Sequence, residues 1–100
     1  MASLSMRETI DSEVFFMQMP YNGVLRTPDW SVKSWWSSSQ QAWLVQVEHY
    51  VPAQNGWIRA WLVDSHGHLQ RYATLAESTA AIEAFMDHPD WGLCRSFHGV

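Results

Sequence analysis

The chain has 100 residues with ten acidic side chains against six basic ones, a formal charge of −4 and a pI near 5.6. A chain of this size makes one domain that buries roughly 60–70% of its unfolded surface, and its acidic balance supplies no basic footprint for a phosphate backbone, so no nucleic-acid partner is expected. The one cysteine, Cys94, cannot form an internal disulfide, MASLSMRETIDSEV lacks the apolar run of a signal peptide, and no stretch approaches the roughly 18 apolar residues of a membrane span; the expectation is a reducing cytoplasm with no membrane partner.

Residues 1–12 mix small, polar and charged types without period and read as a loose N-terminus, which leaves 13–100 as a single α+β domain. EVFFMQM, 13–19, is a short apolar run bounded by Pro20, Asn22 and Gly23, as a buried N-terminal strand requires. TPDWSVKSWW reads two ways. Thr27 before Pro28 and Asp29 resembles a helix start, giving a helix over about 28–36. The Val, Trp and Ser content of SVKSWWSSSQQAWLV fits two strands joined by a serine loop equally well.

From residue 42 the period is clearer. AWLVQVEHYV alternates, with Trp43, Val45, Val47 and Val51 on one face and Leu44, Gln46, Glu48 and Tyr50 on the other. PAQNG ends the strand with an Asn55-Gly56 turn signal, WIRAWLVD resumes, and His66-Gly67 turns into HLQRYATL, so 42–75 reads as a three-strand antiparallel meander. Pairing Ser65 with His68 sets Trp61 opposite Tyr72 and Arg59 opposite Thr74. Thr74 and Glu77 form a capping box, and Ala81, Ile82, Phe85 and Met86 supply the apolar stripe of an amphipathic helix over about 75–87. Pro89 and Gly92 stop that helix, and LCRSFHGV has room for one short last strand.

This pattern leaves large side chains on both faces of the sheet. One helix covers one face, most economically that of Ile58, Ala60, Leu62, Ala73 and Leu75. Trp57, Trp61, Val63 and Tyr72 remain on the other. Which side of 42–51 joins them depends on the connection at 52–56. A two-residue loop pairs Tyr50 with Trp61, whereas a five-residue loop pairs Val47 with Trp61 and His49 with Arg59. The longer loop is the expectation, because it gathers Trp43, Val45, Val47 and Val51 with Trp57 and Trp61. Such a face needs a cover, since each aromatic buries on the order of 150–250 Å². Three covers are open: EVFFMQM with Trp30, Trp35 and Trp36 from the same chain, a second copy, or a small apolar or aromatic ligand.

Chemistry-bearing patterns are sparse. Asp64, His66 and His68 form a D-x-H-x-H run at a hairpin tip and are the one weak set of metal candidates. Cys94 with His88 or His98 reads as a small buried thiol rather than a nucleophile and base. The resulting expectation is a tryptophan-rich, non-enzymatic interaction module without a cofactor, homodimeric through the aromatic face. Trp57, Arg59, Trp61 and Tyr72 are its contact residues, with Trp43 and His49 beside them. Two alternatives are a small-molecule-binding protein or small enzyme with a Trp/Tyr-lined pocket, and an acidic inhibitor or immunity-type partner of a basic protein.

Overall fold

The computed structural model describes residues 24–100, so the strand expected at 13–19 and the loose terminus at 1–12 lie outside the described residues. Within them the chain is α+β. Five antiparallel strands, β1 (Val24–Arg26), β2 (Trp30–Ser37), β3 (Ala42–Val51), β4 (Gly56–Leu62) and β5 (Cys94–Arg95), lie side by side in sequence order, and one helix, α1 (Leu75–Asp87), precedes the last strand.

The ambiguous segment is a strand. Thr27 does what a helix cap does, accepting the Trp30 N–H on Oγ1 at 3.1 Å, but Thr27 N–H also donates to the Trp30 carbonyl at 2.7 Å. Those two bonds close a β1–β2 hairpin around Pro28-Asp29, because a capping residue and a turn-forming residue use the same side-chain-to-backbone bond. Downstream, Val and Trp suit a pleated surface, and the serine loop turns β2 into β3, with Ser37 Oγ accepting the Gln40 N–H at 3.2 Å and Gln41 at φ 52°.

The β3–β4 connection corrects the expected register. Pro52–Gln54 forms one 3-10 turn, Asn55 alone takes the left-handed conformation at φ 49°, and Gly56 already belongs to β4. Four residues therefore separate the strands, a length between the two-residue and five-residue alternatives. Gln46 faces Trp61, Glu48 faces Arg59, His49 faces Ile58 and Tyr50 faces Trp57. Side chains alternate with period two, so the pairing of Val47 with Trp61 fails by one residue and every side chain of β3 sits on the opposite face from the one expected.

The third limb of the expected meander is shorter than a ladder. Asp64 and His68 make the turn bond, at 2.8 Å, where Ser65 and His68 were expected to pair. The returning chain then bridges Leu69 to Val63, donates from Gln70 N–H to the Leu62 carbonyl, and crosses to bridge Tyr72 with Trp43. Residues 69–72 thus fill the gap between the end of β4 and the start of β3, and Tyr72 does not meet Trp61.

Helix α1 begins at its expected cap. Thr74 Oγ1 accepts the Glu77 N–H at 3.1 Å, and Glu77 Oε1 accepts the N–H of Ala73 rather than that of Thr74. The helix packs on β1, β2 and β3. Ile82 and Phe85 enter a core of Leu25, Val32, Val45, Val47, Ala60, Leu62 and Cys94, with Ala81 and Met86 packed against it. A polar contact that the apolar stripe does not announce lies in the same interface: buried Ser78 shares a 2.7 Å hydrogen bond with Ser34 and donates to the Leu75 carbonyl. Among the described residues no helix is long and apolar enough to cross a membrane.

Ile82 is fully buried at the centre of this interface. Ile82→Ala is expected to cost about 2–5 kcal/mol, read as a lower denaturant midpoint with an unchanged slope. A cost near zero would mean that the helix does not close this core.

Candidate functional site

The sheet has two faces with different contents. On the helix side, β2 and β3 present Trp30, Val32, Ser34 and Trp36 beside His49, Val47, Val45 and Trp43. The far side carries Ser31, Lys33, Trp35 and Ser37 from β2, Leu44, Gln46, Glu48 and Tyr50 from β3, and Trp57, Arg59 and Trp61 from β4. The six residues expected to form one site are therefore divided. Trp57, Arg59 and Trp61 share the far face, while Trp43, His49 and Tyr72 belong to the helix side.

On the helix side these three are packed. His49 stacks on Trp30 with ring centroids 4.1 Å apart, lies 5.7 Å from Trp91, and its Nδ1 sits 3.1 Å from the Asp29 carbonyl oxygen. It does not face Arg59, the partner the five-residue loop implied. Trp43 meets Trp36 edge-on at 5.6 Å. Tyr72 lines an open groove of about 320 Å³ beside Leu62, Val63, Ala81, Phe85 and Leu93, and burial raises its phenol above the ordinary value.

The far face is part core and part open. At one end the chain covers itself, since Ser37 and Ser39 donate to the carbonyls of Val100 and Gly99 at 2.8 and 3.0 Å. Leu44, Gln46 and Trp61 are buried, Trp61 at 7% exposure under the edge of Trp35, whose ring lies 6.1 Å away. Trp61 thus forms the floor of this face. The Gln46 Oε1 buried beside it has no hydrogen-bond partner among the described residues.

On either side of Trp61 along the strands, Trp35, opposite Leu44, and Trp57, opposite Tyr50, remain 41% and 47% exposed. Lys33 Nζ lies 5.5 Å from the Trp35 ring. The Tyr50 ring lies 5.6 Å from Trp57 edge-on, and its hydroxyl donates to Asn55 Oδ1 at 3.0 Å. Arg59 reaches Glu48 Oε2 through Nη2 at 3.0 Å and Nε at 3.2 Å, the ion pair found among the described residues. Next to Trp57 is a groove of about 280 Å³ lined by Arg26, Ser31, Glu48 and Trp57 itself. Arg26, Trp35, Glu48 and Tyr50 are site residues that the sequence reading does not single out. Strict alternation through WSVKSWWS would have separated Trp35 from Trp36 and placed Trp35 here, once that segment is read as a strand.

The chemistry-bearing candidates take structural roles. Asp64 Oδ1 accepts the N–H groups of His66 and His68 at 2.8 and 3.0 Å, and those bonds, the one from His68 first, hold its carboxyl below the usual range. The two imidazole rings stand 6.3 Å apart, and among the described residues no three His, Cys, Asp or Glu side chains gather as a metal ion requires. Burial, helped by the Asp90 carboxylate, pushes the Cys94 thiol up to about 12.

A thiol raised from 9.0 to about 12 carries on the order of a thousandfold less thiolate near neutral pH, and the thiolate is the reactive form. Because the folded value is the higher one, the contribution of Cys94 to stability is present below pH 9.0 and is lost as the pH rises toward 12. Native protein at pH 8 is expected to react with a thiol-specific disulfide reagent at least about a hundredfold more slowly than denaturant-unfolded protein. Rates within a few-fold of each other would contradict this placement of Cys94. Comparison with known proteins finds no matching family model, no matching curated protein and no matching solved structure.

Proposed function

We propose that the chain is a non-enzymatic interaction module that associates with a second copy of itself through the open part of the far sheet face. One observation carries this reading: two tryptophans, Trp35 and Trp57, stand about half exposed on the side of the sheet that the helix does not cover. Exposed indoles that are held in place are what contact surfaces use, because they bury a large apolar area while losing little freedom on binding. The Trp57 ring meets Tyr50 edge-on, and the Tyr50 hydroxyl donates to Asn55. The surroundings suit a contact as well. Lys33, Glu48 and Arg59 stand in the register between the two tryptophans, and Trp, Tyr and Arg are the residue types that dominate binding hot spots.

The groups that could argue for catalysis point the other way. Cys94 is buried and held as the thiol, and His49 is packed against Trp30 and Trp91. One observation favours a second reading, a binder of small apolar or aromatic molecules: the groove beside Tyr72, at about 320 Å³, reaches the lower end of ligand-site volumes. A ligand lodged there would raise the melting temperature by mass action.

Light scattering on a sizing column is expected to give about twice the 11.6 kDa chain mass at high concentration, falling toward one chain on dilution. Trp57→Ala should weaken association by about 2 kcal/mol, roughly thirtyfold, and Trp57→Ala with Trp35→Ala should give a folded monomer at every concentration. Wild-type protein that is monomeric throughout would refute the proposal.

A further inference from the structure

The charges of the chain are sorted by face, and we infer that the far sheet face binds single-stranded nucleic acid through its cations and its two exposed indoles. This goes beyond the self-association proposed above and does not depend on it. The formal charge of −4 hides the sorting. The register sets Arg26 beside Ser31, Glu48 and Arg59 in one row across β1 to β4, and Val24 beside Lys33, Gln46, Trp61 and Arg95 in the neighbouring row. Of the Lys and Arg side chains among the described residues, Arg71 alone lies outside these two rows. Glu48 is the one acid within them, and Arg59 already engages it. Helix α1, on the other side of the sheet, carries Glu77, Glu83 and Asp87 and no Lys or Arg. The basic footprint that the composition denies is therefore present locally.

The indoles select a nucleic acid among anions. Trp35 and Trp57, each about half exposed, flank the cationic rows, Trp35 one step beyond Lys33 on β2 and Trp57 one step beyond Arg59 on β4. Leu44 and Tyr50, the β3 residues opposite them, are separated by roughly 20 Å of strand. A chain of phosphates laid over Arg26, Lys33 and Arg59 carries bases to both ends of that span, where each end offers an open ring to stack on. Lys33 Nζ lies 5.5 Å from the Trp35 ring, so a cation and a stacking surface come together at one of those ends. Cations with exposed aromatic rings on one surface are the two components of single-strand binding, and they tolerate any sequence because every base has a π-face. An acidic peptide meets the cations and leaves the rings unused.

Fluorescence anisotropy of a labelled oligothymidylate of about twelve nucleotides, titrated with the full chain at low salt, tests this. Binding is expected with a Kd between about 1 and 100 µM, and the logarithm of the binding constant should fall against log salt with a slope on the order of −2, as release from about three phosphates requires. Trp35→Ala and Trp57→Ala should each weaken binding about tenfold, and Arg26→Gln with Lys33→Gln should flatten the salt slope. These positions are exposed or half-exposed, and far-UV circular dichroism establishes that each variant is folded. No anisotropy change up to about 100 µM protein overturns the inference. Binding that the tryptophan substitutions leave unchanged, or an oligoglutamate peptide that displaces the oligonucleotide at equal charge, overturns it as well and assigns the face to an acidic protein segment. A second copy and the oligonucleotide compete for one face, so saturating oligonucleotide is expected to dissociate any homodimer. A wild-type monomer that binds the oligonucleotide removes the homodimer and leaves this inference standing; a dimer that binds none does the reverse.

Discussion

The four-residue connection Pro52–Asn55 is the constraint on which the rest of this structure depends. Pro52 starts a single 3-10 turn, Asn55 takes the one left-handed conformation in it, and Gly56 continues directly as strand. The length of that connection sets which residue of β3 faces which residue of β4, and because side chains alternate strictly, it also decides which set of side chains shares a face. With four residues, Val45 and Val47 join Ala60 and Leu62 under the helix, and Trp57, Arg59 and Trp61 join Gln46, Glu48 and Tyr50 on the other side. One residue more would have put the valines with the tryptophans and left the helix facing Leu44, Gln46 and Glu48. The observed register keeps the β-branched residues in the core and gives the far face its mixture of indole, phenol, guanidinium and carboxylate.

Each face then solves its own packing problem. Under the helix, the apolar set is nearly complete, and the one polar pair in it, Ser34 with Ser78, satisfies itself while Ser78 also bonds back to the helix carbonyl of Leu75. On the far side the described residues supply only partial cover. The last residues close over Ser37 and Ser39, Leu69 lies beside Val63, and Trp35 leans its edge on Trp61. What remains is a surface with the buried Trp61 between two exposed indoles, Trp35 and Trp57, that lie apart along the strands. Single exposed hydrophobic residues are ordinary on protein surfaces. Trp57 also meets edge-on a tyrosine whose hydroxyl bonds to the turn that sets the register. The loop that sets the register also bonds the tyrosine beside Trp57.

Much of the fold is readable from residue types. Alternation in AWLVQVEHYV and WIRAWLVD marks β3 and β4, and Thr74 with Glu77 and the Ile82–Phe85 stripe marks the helix and its start. Three things are not readable, each for a physical reason. WSVKSWWS is covered in part on both faces, so its alternation is blurred and a turn-forming Thr27-Pro28 resembles a helix cap. The Asn55-Gly56 pair signals a tight hairpin and the expectation is a five-residue loop, but the 3-10 turn at Pro52–Gln54 makes the connection four residues, one off that expected register. His66-Gly67 does turn the chain, yet Leu62 and Trp43 both offer backbone groups to it at that end of the sheet, so the returning segment divides its bonds between them and Tyr72 is carried to the helix side. The candidate site inherits these errors. Trp57, Arg59 and Trp61 group together because they lie on one strand, whereas placing Trp43, His49 and Tyr72 needs a register that only the folded chain supplies.

The central claim is that the contact surface is the sheet face opposite the helix, and Trp36 provides an internal control for it. It is 46% exposed, close to Trp57, but it belongs to the helix side. Hydroxyl-radical footprinting across a protein concentration series, with oxidation quantified at each tryptophan, separates the two faces in one experiment. The account predicts that Trp35 and Trp57 become protected as concentration rises while oxidation of Trp36 stays constant. Protection of Trp36, or unchanged oxidation of Trp57 across the association transition, would contradict it.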